Sequence, residues 1–205
     1  MHTGILTEKQ NELLPYLKIF KRKFYLVGGT AVSLHLGHRR SIDFDLFCKT
    51  GINKKEILKK VADLPFKKAK LSEDTDQIHL IINDVKVTFL NYPYEIEHPL
   101  KLGEYLSLPT LLSLSSMKAY ALGRRAKWKD YVDLYFILRD HYSIKEISGE
   151  AIRIFGQLFS EKLFREQLAF HKDINYSEPI EYLVAAPSDE EIRQFLIERA
   201  IDLEH

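Results

Sequence analysis

The chain has little cysteine and no long apolar run, and each scarcity excludes a class of protein. Cys48 is the one cysteine among 205 residues, so neither an intramolecular disulfide nor a cluster of thiolate metal ligands can form. No apolar stretch approaches the ~18 residues of a membrane span, and the N-terminus lacks the charged-then-apolar order of a signal peptide. The histidines lack the close spacing of zinc ligands. These absences predict a cytoplasmic protein with no membrane contact and no zinc site.

What the sequence does contain is enough apolar residue for a core and an uneven distribution of charge. Hydrophobic residues make up 45% of the chain and the net charge is +1. Residues 1–70 carry 15 Lys and Arg against 6 Asp and Glu, whereas residues 71–205 carry 15 against 23. A basic first third can attract a polyanion such as a nucleotide or RNA. A solvated lysine-rich helix at about residues 54–60 explains the same charge.

Local patterns predict an α+β fold, with a small sheet layered by helices and a helical second half. The predicted helices cover about residues 8–20, 30–36, 53–64, 110–122, 128–141, 145–157, 160–170 and 188–199. The predicted strands cover residues 24–27, 42–48, 77–82 and 85–92, with a tight turn at Asn83-Asp84 and an irregular segment from 92 to 109. We expect a sheet-bearing core over 1–100 and a helical part over 101–202 packed on it. Residues 203–205 resemble the remnant of a purification tag.

Two aspartates interrupt the apolar strand predicted at 42–48. Residues i and i+2 of a strand point to one face, so Asp43 and Asp45 project together while Phe44 faces the opposite way. Adjacent ionised carboxylates in apolar surroundings repel each other unless a cation lies between them. Oxygen ligands in this arrangement suit Mg²⁺, which completes its shell with water and substrate phosphates. The alternative is a pair of carboxylates at the end of an exposed strand.

A glycine turn precedes this acidic pair. Gly28, Gly29 and Thr30 lie between a predicted strand and a predicted helix, where bare backbone and free N–H groups can hold an anion. A plain tight turn would account for the glycines alone. An anion cradle followed by a metal-binding pair is the combination needed to bind and orient a nucleoside triphosphate.

Four blocks of sequence together resemble a known family. The stretches "LVGGTAVSLHLGHRRSIDFDLF", which contains the block "HRRSIDFDLF", "VKVTFLNYPY" and "SSMKAYALGRRAKWKDYVDLYFIL" occur in this order within about residues 24 to 141. No single block is as specific as the set. The pattern resembles the polymerase-β-like nucleotidyltransferases and, more closely, the abortive-infection nucleotidyltransferase toxins of the AbiEii/AbiGii type. The resemblance implies a polymerase-β-like nucleotidyltransferase fold followed by a helical C-terminal part.

The family resemblance also implies roles for two helical residues. Lys118 matches a lysine that would neutralise triphosphate charge, and Asp133 matches an aspartate that would orient or deprotonate the acceptor hydroxyl. For Lys118 the alternative is a solvated lysine. For Asp133 the alternative is a structural ion pair with Lys118, Arg124 or Arg125, because an unpaired carboxylate in so apolar a helix is costly.

Further basic residues are candidates for binding phosphate or RNA. Arg39 and Arg40 precede the acidic strand and could bind phosphate, although pairing with the two carboxylates of that strand explains them equally well. A basic cluster near Lys118 would suit an RNA acceptor or form a solvated turn. It consists of Arg124, Arg125, Lys127 and Lys129, with Trp128 and Tyr131 between them.

One departure from the superfamily pattern bears on catalysis. Polymerase-β-like transferases commonly carry a third carboxylate on the strand beside the two aspartates, and the matching face of "VKVTFL" holds Lys86, Thr88 and Leu90. The resemblance implies a Mg²⁺-dependent toxin of a toxin–antitoxin or phage-defence system that transfers a nucleotide to an acceptor hydroxyl. The acceptor could be the 3′ end of tRNA, and a cognate antitoxin would be the protein partner. Transfer to a small molecule or protein, or binding of nucleotide, RNA or a partner without catalysis, stays open.

Overall fold

The computed structural model describes residues 1–202, and the suggested tag remnant at 203–205 lies outside them. The helices within this range are α1 Glu8–Leu17, α2 Gly28–Leu36, α3 Lys54–Ala62, α4 Leu111–Leu122, α5 Trp128–Asp140, α6 Ile144–Phe155, α7 Glu161–Ala169 and α8 Asp189–Ile201. The strands are β1 Tyr25–Val27, β2 Phe44–Cys48, β3 Lys68–Glu73, β4 Gln77–Ile82, β5 Val85–Asn91, β6 Leu100–Leu102 and β7 Leu106–Leu108. Short 3₁₀ turns occur at Thr3–Ile5, Lys18–Phe20 and Gly156–Leu158. None of the helices in residues 1–202 combines the length and the apolar character needed to cross a bilayer.

Five strands form a mixed sheet in the order β1-β2-β5-β4-β3. The central strands β2 and β5 are parallel, and every other neighbouring pair is antiparallel. Strands β6 and β7 form a separate two-stranded sheet beside β1. The mixed sheet and its helices confirm the predicted α+β class.

Capping and turn residues fix the elements where the sequence predicted them. The Thr7 hydroxyl accepts the Gln10 N–H while the Gln10 side chain accepts the Thr7 N–H, a capping box that begins α1. Thr110 caps α4 by accepting the N–H of Ser113. Asn83 and Asp84 both have positive φ, as a two-residue hairpin turn requires.

Two predictions about strands were wrong. Strand β3 was not predicted, because its sequence KAKLSE is polar and all six residues are exposed at the sheet edge. Residues 92–109 were expected to be irregular but contain β6 and β7, each only three residues long. Such short strands leave no readable alternation of apolar and polar residues.

The core lies on one face of the large sheet and continues into the helical half. Phe44 and Leu46 of β2 are fully buried on that face. They belong to one apolar cluster that also contains Tyr131 and Leu134 of α5. The opposite face of β2, which carries Asp45, is only partly covered.

Candidate active site

The glycine turn and Asp45 are in direct contact. Strand β1 ends at Val27, which pairs with Asp45 of β2, and Gly28 then begins α2 with φ of +72°. A Cβ atom added at Gly28 would lie 2.1 Å from Oδ2 of Asp45, a distance no real contact allows. The carboxylate therefore lies against the bare backbone of the turn, and only glycine leaves room for it.

Asp43 and Asp45 are the unneutralised carboxylates of this site. Neither carboxylate has an ion pair or a hydrogen bond to another group in residues 1–202, and both side chains are half-buried. Burial and the neighbouring charge of Asp43 raise the pKa of Asp45, and the cations of Arg125 and Lys129 offset part of that rise. Two carboxylates that raise each other's energy favour a cation between them.

The residues fit a magnesium ion that takes its remaining ligands from substrate and water. Within residues 1–202 no group of three or more His, Cys, Asp or Glu side chains converges on a common point, so the protein alone offers no closed metal cage. Mg²⁺ is usually held by one or two carboxylates together with waters and substrate phosphates. Asp43 and Asp45 would be the protein ligands.

Thr30 and Gly29 hold the segment that leads into β2. The Thr30 side chain is buried, with its hydroxyl oxygen 3.1 Å from Oγ and 3.3 Å from the carbonyl oxygen of Ser41. The same hydroxyl donates to the carbonyl oxygen of Asp43. The side chain of Thr30 is thus engaged inside the protein, and only its backbone remains for the phosphate role predicted from sequence. Asp43 itself lies one residue before β2 rather than inside the strand.

Asp133 is fully buried in a network of positively charged partners. Its Oδ1 accepts from Nε of Arg39 at 2.7 Å and from Nε2 of His38 at 2.7 Å, and its Oδ2 accepts from Nη2 of Arg39 at 2.8 Å. Lys118 Nζ is 2.6 Å from the same Oδ2. Burial alone would raise the pKa of Asp133, but the charges of Arg39 and Lys118 hold it well below its usual range.

These contacts favour the structural alternative for Asp133 and Arg39. An enclosed carboxylate with four close donors has no free oxygen for an acceptor proton, and the Arg39 guanidinium is buried and committed to Asp133. Lys118 was among the expected partners of Asp133, whereas His38 and Arg39 were not. Arg40 turns away from the site, because it donates to the Ile5 carbonyl at 3.0 Å and to the Glu181 carboxylate at 2.9 Å.

Asp130 is a residue that sequence reasoning missed. It lies 1% exposed on α5, accepts from Lys118 Nζ at 2.7 Å and accepts from Nε of Arg125 at 3.0 Å. The spacing of Asp130 and Asp133, three apart on an apolar helix, was a readable signal that both face one side. This network of charges contains three cations and two carboxylates, so its net charge is +1. Its members are Arg39, Lys118, Arg125, Asp130 and Asp133.

A pocket of about 280 Å³ connects the glycine turn to this network. Gly28 is among its lining residues, together with the cationic side chains of Lys118, Arg124 and Arg125. The Arg124 guanidinium lies 3.5 Å from the centre of the Tyr120 ring. The remaining lining is apolar or aromatic: Val27, Val32, Phe47, Tyr92, Leu114, Met117, Tyr120 and Ala121. A pocket with an apolar wall and a few convergent cations suits a nucleotide.

The basic cluster at 124–129 is not an open stacking surface. Lys127 and Lys129 both contact Glu178, and their charges lower its pKa to about 2 although its burial acts in the opposite direction. Trp128 and Tyr131 are buried. These two rings are therefore not available to stack RNA bases, because they lie in the core.

Thr88 occupies the sheet position beside Asp45, as the sequence predicted. It also contacts His79, a residue that the sequence analysis did not single out. Thr88 pairs with Asp45 on one side and with His79 of β4 on the other. Nδ1 of His79 lies 3.0 Å from the Thr88 hydroxyl oxygen. The hairpin turn at Asn83-Asp84 sets this register, so the pairing of 79 with 88 could have been read from the sequence.

The fold, a mixed sheet layered with helices, is similar to that of solved nucleotidyltransferase toxins. The chain belongs to the nucleotidyl transferase AbiEii toxin family of type IV toxin–antitoxin systems, whose family model matches residues 16–202. This membership confirms the family resemblance read from the sequence.

Individual relatives are more distant. An uncharacterized protein of Aquifex aeolicus (strain VF5), aq_aa25, is 32% identical over 131 residues, which cover 60% of this chain and 62% of that relative. The fold is similar to that of MenT4, the nucleotidyltransferase toxin Rv2826c of Mycobacterium tuberculosis H37Rv, with a TM-score of 0.63 at 16% identity over 94% of this chain and 80% of that one. JHP933 of Helicobacter pylori is similar with a TM-score of 0.54 at 15% identity over 95% and 91%.

Proposed function

We propose that this protein is a Mg²⁺-dependent nucleotidyltransferase that acts as the toxin of a toxin–antitoxin pair. It would transfer a nucleotide from a nucleoside triphosphate to an acceptor hydroxyl. The observation that carries the proposal is the unneutralised pair Asp43 and Asp45, with Asp45 set against Gly28, a residue that also lines a pocket containing Lys118, Arg124 and Arg125. Elsewhere in this site the carboxylates of Asp130 and Asp133 are neutralised by the protein itself.

The chain's own residues bind and orient the substrate. Asp43 and Asp45 would hold Mg²⁺, which when bound neutralises triphosphate charge and polarises the α-phosphate. The backbone of Gly28 and Gly29 lies at the start of α2, where free N–H groups and the helix dipole attract phosphate. Lys118 lines the same pocket, where its ammonium group, paired with Asp130 and Asp133, would contribute positive charge together with Arg124 and Arg125.

Asp133 and Arg39 support this arrangement rather than contact the substrate. Asp133 holds Lys118 in place at 2.6 Å, and Arg39 neutralises Asp133 from beneath the glycine turn, within 2.9 Å of the Cβ position of Gly29. Positioning and charge neutralisation supply most of the rate enhancement in such reactions, so a displaced turn would lower the rate even with every ligand present.

Membership of a type IV toxin–antitoxin family supports an antitoxin as the protein partner, and the acceptor is a separate proposal. The 3′ end of tRNA is the proposed acceptor, and a cognate antitoxin is the proposed partner. A second candidate function is nucleotide binding without efficient transfer. It is favoured by Thr88, because a hydroxyl replaces an acidic side chain directly beside Asp45.

An assay with labelled nucleotide distinguishes these functions. The protein is incubated with Mg²⁺, each α-labelled triphosphate in turn and total tRNA, and Asp45→Asn is compared with Asp63→Asn, an exposed aspartate at the end of α3. We expect label on tRNA with wild type and Asp63→Asn but not with Asp45→Asn. Label on the protein alone, or nucleotide bound without transfer, would contradict tRNA as the acceptor.

Growth of the host cell is an independent readout of toxicity. Expression of wild type should arrest growth, whereas Asp43→Asn and Lys118→Ala should not. Equal growth of cells expressing all three proteins at matched levels would refute the toxin assignment.

A further inference from the structure

The proposed transfer needs a group that accepts the proton of the attacking hydroxyl. Asp130 and Asp133 are enclosed, and each already accepts from two positively charged side chains. Asp43 and Asp45 are assigned to the metal. These four carboxylates are therefore committed to other roles, which leaves the proton to a residue outside this set.

His79 lies on the face of the sheet that carries Asp45, in line with that residue. Asp45 pairs with Thr88 across the parallel strands, and Thr88 pairs with His79 across the hairpin. Paired residues on neighbouring strands project to the same side, and adjacent strands are about 4.8 Å apart. The Thr88 side chain therefore lies between Asp45 and His79.

Thr88 fixes the orientation of the imidazole ring. Its hydroxyl oxygen lies 3.0 Å from Nδ1 of His79, and Thr88 is itself buried. Nε2 of His79 makes no hydrogen bond within residues 1–202, and the side chain is half-buried rather than sealed. When Nδ1–H donates to Thr88, the lone pair lies on Nε2, the atom that remains free for a substrate.

Burial and three nearby charged residues set the pKa of His79. Burial lowers its pKa, Lys86 on β5 lowers it further, and Asp45 on β2 and Asp74 before β4 act in the opposite direction. The net lowering keeps the imidazole neutral at pH 7, the form in which it can take a proton.

We infer that His79 is the general base of the transfer and that Thr88 is its positioning residue. The inference rests on the proposed function. The acceptor oxygen forms a bond to the α-phosphorus, the bond between the α-phosphorus and the pyrophosphate oxygen breaks, and pyrophosphate leaves. The hydroxyl proton passes to Nε2 of His79 and then to water, so the imidazole returns to its neutral form.

Substitution of His79 tests the inference against a matched control. His79→Gln keeps a polar group but cannot take a proton, and His98→Gln removes a ring that makes the same kind of contact, 2.9 Å from the Ser107 hydroxyl. We expect kcat of His79→Gln to fall by about 10² to 10⁴, the usual contribution of a general base, with the nucleotide KM unchanged. His98→Gln should keep the wild-type kcat.

Two readouts separate a base from a merely structural residue. The fall of wild-type kcat towards acidic pH should be absent in His79→Gln, and added imidazole should restore part of the activity of His79→Ala. Thr88→Val should lower kcat, and Thr88→Ser should restore it. This Thr88 series decides the inference if the His79 variants do not fold.

Failure of this inference differs from failure of the proposed function. If wild type transfers no nucleotide to any acceptor, the proposed function is wrong and the inference falls with it. If wild type is active and Asp45→Asn is inactive, but folded His79→Gln keeps kcat within about threefold with an unchanged pH profile, only the general base is overturned. Equal kcat of Thr88→Val and wild type would overturn the positioning role.

Discussion

Replacement of Gly28 by alanine should separate the chemical role of the glycine turn from its conformational role. Two glycines have nearly the same left-handed backbone, Gly28 with φ of +72° and Gly51 with φ of +71°. An added Cβ at Gly51 meets no atom within 4 Å, whereas at Gly28 it would lie 2.1 Å from Oδ2 of Asp45. Alanine at either position incurs about 1–2 kcal/mol of backbone strain, but only Gly28→Ala also displaces the carboxylate of Asp45, a proposed metal ligand.

The size of that displacement sets the expected loss of activity. The Asp45 oxygen must move by about 1 Å to reach even a tight contact distance, and misplacement on that scale can reduce a rate by ~10². We expect Gly51→Ala to lose stability in urea unfolding while it retains nucleotide transfer. Gly28→Ala should lose at least as much stability and about 100-fold in kcat/KM. Equal transfer rates for the two folded variants would refute the reasoning that the turn exists to receive Asp45.

Three further predictions concern the buried charges. Asp133→Asn should lower the free energy of unfolding by about 3–5 kcal/mol, because it leaves Arg39 and Lys118 buried without their partner. The control Asp140→Asn breaks an exposed pair with Arg139 and should cost less than about 1 kcal/mol. Similar losses for the two variants in urea titrations would contradict this prediction. Because the pKa of Asp133 is depressed in the folded state, its stabilisation is present above the ordinary value of about 3.9 and lost as pH falls below it, so acid unfolding of wild type should be steeper than that of Asp133→Asn. Asp45→Asn should raise the melting temperature in metal-free buffer at pH 7, since it removes a repulsive charge, and Mg²⁺ should then raise the melting temperature of wild type but not of the variant.

The elements that the sequence predicted well are those specified by local signals. Thr7 with Gln10 and Thr110 with Ser113 are caps that act within one turn of helix, so their positions mark the starts of α1 and α4. The Asn83-Asp84 turn likewise defines the hairpin of β4 and β5. Strand β3 carries no such signal, because it pairs only through its backbone at an exposed edge.

The candidate site also has a part that local sequence predicts and a part that it does not. The glycine turn and the two aspartates are close in sequence, and their residue types predict an anion-binding turn and a metal-binding pair. The partners of Asp133 could not be predicted from local pattern, because His38 and Arg39 lie 95 and 94 residues away along the chain. Their contact depends on the packing of α2 against α5, which no short motif encodes.

The central claim is that Asp43 and Asp45, the latter in contact with the glycine turn, hold a metal ion that binds the triphosphate of the substrate. A crystal structure with Mn²⁺ and an α,β-methylene nucleoside triphosphate tests it most directly, because anomalous scattering locates the ion. We predict one Mn²⁺ coordinated by an oxygen of each aspartate, with the triphosphate along the backbone of Gly28 and Gly29. A metal bound away from the two aspartates, or a triphosphate that does not contact the glycine turn, would contradict the account.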